Sequence, residues 1–239
     1  MEKREKYVVI MAAGSGSRMG GDLPKQFLEL DGKAILRHTI EVFIKACPDI
    51  HIVVVLSRDY FEYWKNYCIR HNFICRQSLA EGGITRFHSV KNALKKVPDG
   101  AIVAVHDGVR PLVSVELVRK MFALAESEPA LIPVVPCVNT LKVLDKVSDC
   151  KSDNGKAALE TAEGEQVDRD RIFAAQTPQV FHSEILKSAY GQAYSVSFTD
   201  DASVVAEYGK NLSYVIGERF NIKITTPDDL LLARALRNL

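Results

Sequence analysis

Short apolar runs of strand character alternate with segments of helical period along most of this chain, and that alternation leaves few architectures open. The runs are Tyr7 to Met11, His51 to Leu56, Phe73 to Arg76, Ala101 to Val105 and Ala130 to Val135. Between them Ile35, Leu36, Thr39, Ile40, Phe43 and Ile44 recur at helical spacing, as do Phe87, Val90, Leu94 and Val97, and Val115 to Glu126 forms a third such segment. Strands separated by helices pair in parallel, because a parallel neighbour needs a long crossover, and the crossovers cover both faces of the sheet. The expectation is a three-layer α/β fold with a mainly parallel sheet. At 239 residues, one such domain over 1–239 accounts for the chain.

The rhythm stops between Leu144 and Asp168, where "LDKVSDCKSDNGKAALETAEGEQVD" is polar, small and charged with no periodic face. A stretch of that length without regular structure is either a disordered loop or an arm leaving the body, and residues 137–170 are read as a protruding arm. Beyond it come a strand over Ile172 to Gln176, helices over Ser183 to Tyr194 and Asp200 to Tyr208, and short strands at Ser213 to Ile216 and Asn221 to Thr225. The last helix has a well-marked start: Thr226 as cap, Pro227 in the first turn, and Asp228 and Asp229 facing the positive helix end.

Composition narrows the partners. Lys and Arg number 31 against 30 Asp and Glu, so a net charge of +1 offers no overall field to gather a nucleic acid or an anionic membrane. Any anion is recognised locally. The start "MEKREKYVVIMAAG" imitates a secretory signal, but its apolar stretch is short and ends in Gly and Arg, so it reads as a first strand of a cytoplasmic protein. No run is long enough to span a bilayer. The five cysteines are odd in number and none has C-x-x-C spacing, which points to reduced thiols.

The first strand empties into "AAGSGSRMG", and this loop is the sharpest local signal. A dinucleotide fold needs G-x-G-x-x-G, whereas Gly14-x-Gly16 is followed by Met19, and Ile35 onward is helical where a second strand is required. A P-loop needs Gly-Lys-Ser/Thr, which is missing. What remains is a glycine-rich turn at a strand's carboxyl end, whose N–H groups can converge on an anion, with Arg18 and Lys25 close behind.

The order strand, G-x-G-x-R-M-G and P-K-Q-F resembles the nucleotidyltransferases that join a nucleoside triphosphate to a sugar phosphate. Together, "GSGSRMG", "PKQFL", "VHDGVRPLV", "DRDRIFAAQTPQVF", "FTDDASVV" and "NIKITTPDDL" resemble the 2-C-methyl-D-erythritol 4-phosphate cytidylyltransferases of the non-mevalonate isoprenoid pathway, from Val8 to about Leu232. The resemblance implies a Rossmann-like nucleotidyltransferase fold of the glycosyltransferase-A kind, with a dimerisation arm. It implies transfer of CMP from CTP to 2-C-methyl-D-erythritol 4-phosphate with Mg²⁺ as cofactor, in a homodimer.

On that resemblance Arg18, Lys25 and Lys223 are the catalytic cations. Ala12, Ala13, Gly14 and Gly16 form the phosphate cradle, Gly83, Arg86 and Ser89 match positions that read the cytosine ring and help hold its loop, and Asp107 lies near the ribose and the metal region. Thr140, Arg169 and Thr199 are implied contacts of the polyol phosphate, Arg169 coming from the neighbouring subunit. Arg110 is read as bracing its loop. Ile84 stands where the family often has an acid. Taken alone, a serine in a helical stripe is structural, and "TDDAS" is a helix cap. Two other readings stay open: a ribitol 5-phosphate cytidylyltransferase, whose members more often carry serine at the position of Gly108 and lack "VDR" before "QTPQ", and a non-catalytic nucleotide-binding module.

Overall fold

The computed structural model describes residues 4–14, 23–143 and 167–237. At the middle of its main sheet β1 (Lys6–Met11) is flanked in parallel by β4 (His51–Leu56) and β6 (Ile102–Asp107), with Met11 level with Val55 and Asp107. Successive residues of a strand face opposite sides. Val8, Ile10, Val54, Leu56, Ile102 and Ala104 accordingly enter one core, while Val9, Val53, Val55, Val103 and Val105 enter the other. The first core is covered by α1 (Ile35–Ala46), α2 (Phe61–Arg70) and α4 (Val115–Leu124). The second is covered by α3 (Arg86–Leu94), α5 (Ser183–Ala189) and α6 (Asp201–Glu207). Three layers result, as the alternation predicts.

The sheet runs β10 (Ser213–Ile216), β7 (Ala130–Pro136), β9 (Gln179–His182), β6, β1, β4, β5 (Gln77–Glu81), and β8 (Phe173–Ala175) adds to β7. β9 is antiparallel to both β6 and β7, which brings its start to the carboxyl end of β6. A small hairpin of β2 (Glu29–Leu30) and β3 (Lys33–Ala34) precedes α1, and α7 (Pro227–Arg237) closes over Leu30, Ile35 and Val109 through Leu230 and Ala233.

Two expected strands are corrected. Phe73 to Arg76 is not a strand: Asn72 turns the chain at a φ of 46°, the Phe73 N–H donates to the Cys68 carbonyl at 2.8 Å, and the Phe73 ring packs edge-on to Trp64. Phe73 and Cys75 pack beyond the end of α2 while Ile74 faces solvent, and the ladder with β4 starts only at Gln77. Asn221 to Thr225 is not a strand either. The segment is fixed piecemeal, the Ile224 N–H donating to the Val109 carbonyl at 2.9 Å and the Asn221 amide to the Thr177 carbonyl at 2.8 Å. The helix expected to reach Tyr194 stops at Ala189. Among the described residues no helix is long and apolar enough to cross a membrane, and Cys47, Cys68, Cys75 and Cys137 are free thiols.

Candidate active site

β1, β4, β5 and β6 end together, and the segments leaving them are tied to their neighbours by the backbone. The Ala12 N–H donates to the Val55 carbonyl at 2.9 Å, Gly82 to Leu56 at 2.8 Å and Gly108 to Met11 at 2.8 Å. Ligands of open α/β sheets bind at such carboxyl ends. Here a cavity of about 430 Å³ is lined by Met11, Ala12, Ala13, Gly14, Lys25, Gln26, Gly83, Ile84, Thr85, Arg86, Ser89, Asp107, Val109, Lys223 and Thr225. The glycines permit close approach of backbones: a Cβ on Gly82 would lie 2.6 Å from that of Ala13, and one on Gly83 would lie 2.4 Å from that of His88.

Gln26 and Ser89 hold this wall in shape. Gln26, nearly fully buried in the 3-10 turn Lys25–Phe27, donates to the carbonyls of Ala12 at 2.6 Å and Gly14 at 3.2 Å, so those carbonyls are occupied and the start of the loop is tied down. Ser89 accepts from the Gly83 N–H and donates to the Thr85 carbonyl, both at 2.9 Å. These two bonds link the Gly83 loop to the first turn of α3. Gln26 is a residue that sequence reasoning missed, although it stands in the quoted "PKQFL".

Asp107 is the hub. It is 7% exposed at the side chain; its carboxylate accepts from Arg86 at 2.9 Å and Arg110 at 3.1 Å and forms an ion pair with Lys223 at 3.1 Å. Burial alone would raise its carboxyl, but Arg86, Lys223 and Arg110 hold it well below the usual carboxylate range. Arg110 also donates to the Asn221 carbonyl at 2.7 Å, the bracing role expected of it. Arg86 remains charged: burial opposes this, but Asp201 and Asp107 raise it further above the usual arginine range. His106, beside Asp107, is sealed in the core. Burial pushes it down to about 3, its Nε2 donates to the Arg110 carbonyl at 3.2 Å, and Phe43 stands edge-on to its ring.

The structure therefore brings Lys25, Lys223, Ala12, Ala13, Gly14, Gly83, Arg86, Ser89 and Asp107 to one cavity. Arg18 and Gly16 lie outside the described residues, as do 144–166 of the expected arm. Thr140 and Arg169 share a surface depression of about 570 Å³ with Asp168 and Asp170, apart from the cavity, and Thr199 lines neither. Thr199 instead precedes the cap of α6, with its N–H donating to Ser203 Oγ at 3.1 Å. Ile84 is 92% exposed at the cavity lip. Among the described residues no three His, Cys, Asp or Glu side chains converge as a metal cage.

The family model described as 2-C-methyl-D-erythritol 4-phosphate cytidylyltransferase matches residues 7–238. The chain belongs to this family. It is thereby a nucleotidyltransferase of the cytidylyl-transferring class. Relatives bearing that name include one from Bacteroides thetaiotaomicron, 47% identical over 97% of this chain and 99% of its own length, and one from Clostridioides difficile, 36% identical over 97% and 93%. Among solved structures, the 4-diphosphocytidyl-2C-methyl-D-erythritol synthase of Anaerococcus prevotii superposes with a TM-score of 0.77 at 26% identity, covering 99% of both chains. The cytidylyltransferase of Thermus thermophilus superposes with a TM-score of 0.73 at 30% identity, covering 98% of this chain and 100% of its own. These likenesses establish the nucleotidyltransferase fold along nearly the whole chain.

Proposed function

We propose that this protein transfers CMP from CTP to 2-C-methyl-D-erythritol 4-phosphate, giving 4-diphosphocytidyl-2-C-methyl-D-erythritol and pyrophosphate. The observation that carries this reading is the meeting of Lys25, Arg86 and Lys223 with Ala12, Ala13 and Gly14 in one cavity at the ends of β1 and β6. A phosphate monoester has a second pKa of about 6, so the attacking phosphate is largely dianionic at neutral pH and needs no general base. The difficulty is electrostatic, because two anions meet at the α-phosphorus and charge grows on its oxygens.

The cavity lining suits that task. Lys25, Arg86 and Lys223 against Asp107 leave a surplus of positive charge facing a triphosphate. Asp107 offsets part of that charge while fixing the Lys223 ammonium at 3.1 Å, which orients a cation that is otherwise 42% exposed. Arg18 joins this set on the motif. Gly83 and the loop tied down by Ser89 present backbone groups that can distinguish cytosine, with an N4 donor beside N3 and O2 acceptors, from uracil.

Enzymes of this class use a divalent metal, here Mg²⁺. Asp107 is the one carboxylate among the described lining residues, and its anionic form suits an ion that arrives on the triphosphate and keeps most of its waters. Such an ion supplies charge neutralisation at the phosphates. Thr140, Arg169 and Thr199 would receive the polyol phosphate once a homodimer forms, with residues 137–170 as the arm that carries Arg169 to the partner's cavity. None of the three lines the cavity within a single chain, which is consistent with that arrangement. The protein works in the cytoplasm as a single nucleotidyltransferase domain.

The test is pyrophosphate release by the purified protein with Mg²⁺ and CTP, supplied with either 2-C-methyl-D-erythritol 4-phosphate or D-ribitol 5-phosphate, beside a Lys25→Ala control. Release with the first polyol, lost in the control, is expected. Release with ribitol 5-phosphate alone would overturn the substrate, and silence with both would overturn the reaction.

A further inference from the structure

Arg86 belongs to the cavity, yet one of the two groups that hold it lies outside. Its guanidinium forks between two carboxylates, donating to Asp107 Oδ1 at 2.9 Å and to Asp201 Oδ2 at 2.7 Å. Asp201 has no exposed surface, lines no cavity wall, and accepts the Tyr190 hydroxyl on its other oxygen at 2.6 Å. The remaining donor, Arg86 Nε, is buried with no partner, so these two carboxylates supply the hydrogen bonds to the group's side-chain nitrogens. A chain of contacts therefore runs from Tyr190 through Asp201, Arg86 and Asp107 to Lys223.

A buried carboxylate at the start of a helix has an ordinary explanation, which is capping. That explanation fails here. Asp200 is the cap of α6, accepting from the Ser203 N–H at 2.9 Å in a reciprocal box with the Ser203 hydroxyl, and Asp201 takes no part in it. A fully buried carboxylate is costly unless paired, and the pairing here is directed wholly at the cavity's arginine and at Tyr190. The surroundings are stiff. Tyr190 stacks on Phe87 at 4.7 Å, and Gln179 pins the helix start by donating to Asp200 at 2.7 Å and accepting from the Ala202 N–H at 2.8 Å. A planar guanidinium gripped at both ends by fixed carboxylates has its plane set, and so has the Asp107 carboxylate that it meets.

We propose that Asp201 is a positioning residue for catalysis, holding Arg86 so that Asp107 in turn fixes the Lys223 ammonium where the reacting phosphate sits. The inference rests on the proposed cytidylyl transfer. Without the Asp201 charge, one arm of Arg86 is uncompensated and is drawn toward the triphosphate, and Asp107 turns with it. Displacements of about 1 Å at a reacting centre can cost on the order of 10²-fold in rate. The effect falls mainly on kcat, because Asp201 touches no substrate and the Gly83 loop keeps its hydrogen bonds to Ser89.

The experiment is a double-mutant cycle read by pyrophosphate release, with Asp201→Asn, Arg86→Gln and the double variant, alongside thermal unfolding of each. Asp201→Asn is expected to lower kcat on the order of 10²-fold with KM for CTP little changed, and to have little further effect in the Arg86→Gln background. Equal losses in both backgrounds, or kcat unchanged in folded Asp201→Asn, overturn the proposal. Should Asp201→Asn not fold, Tyr190→Phe replaces it, since it keeps the carboxylate and the aromatic volume. A kcat loss that vanishes with Arg86→Gln supports the proposal, and no loss overturns it. Silence of the wild type would refute the reaction itself and is thereby distinguishable.

Discussion

Replacing Asp107 with Asn keeps the shape of the hub and removes its charge. Arg86, Arg110 and Lys223 then surround a neutral amide, and its NH₂ group meets one of them donor against donor. Removing one partner of a buried ion pair typically costs about 3–5 kcal/mol. Three features of the site favour the lower end: Lys223 is 42% exposed and can rehydrate, Arg110 retains the Asn221 carbonyl, and Arg86 retains Asp201. With about 3 kcal/mol lost, and a shift of about 2–4 °C per kcal/mol for a chain of this size, the midpoint of thermal unfolding should fall by about 6–12 °C. Circular dichroism without ligand measures it, and pyrophosphate release well below the transition should show kcat reduced on the order of 10²-fold as Lys223 loses its anchor. A midpoint within about 2 °C of the wild type would refute the assignment of Asp107 as the electrostatic hub.

Other expectations follow from the same geometry. Lys25→Ala and Lys223→Ala should each lower kcat on the order of 10²–10³-fold in steady-state assays, with folding intact; an unchanged kcat for either would remove that lysine from the transition state. Gly83→Ala sets a Cβ 2.4 Å from that of His88, so the nucleotide loop must shift, and CTP affinity measured by calorimetry should weaken at least tenfold, about 1.4 kcal/mol. His106 is pushed down to about 3 in the folded chain, against about 6.5 when unfolded. The unfolded chain therefore binds the extra proton in that interval, and stability is lost as pH falls from about 6.5, by up to about 1.4 kcal/mol per unit. His38, also lowered by burial, adds in the same direction; denaturant titrations from pH 7 to 4.5 should show a shallower loss for His106→Asn than for the wild type.

The parallel sheet was legible because its central strands are buried on both faces and so read as plain apolar runs, as in β1 and β6. α2 was not. Only Trp64 and Tyr67 of "FEYWKNYCIR" are buried, so no apolar stripe marks its period. β9 escaped for a different reason: His182 ends it and Ser183 begins α5 with no turn residue between them. β5 lies at the edge of the sheet, where "QSLAE" carries too little apolar character to compete with the neighbouring Phe73 to Arg76. At the site, the residues with a charge to declare, Lys25, Arg86, Asp107 and Lys223, stood out, together with the glycines. Gln26 and Asp201 did not, because a glutamine that ties two loop carbonyls and a carboxylate that grips an arginine 115 positions earlier have meaning only in three dimensions.

The long span of the Arg86 fork bears on when the cavity comes into being. Asp107 meets Thr177, Arg86 meets Asp201 and Arg110 meets Asn221, contacts separated by 70, 115 and 111 positions. Closing loops of that length is entropically slow, and no nucleated fragment contains both ends of all three. A binding site stitched together in this way cannot be present in a folding intermediate that lacks either half. Protection by nucleotide, followed through amide exchange or protease resistance during refolding, should therefore arrive with the last structural phase, making the ligand a reporter of completed folding rather than a template for it.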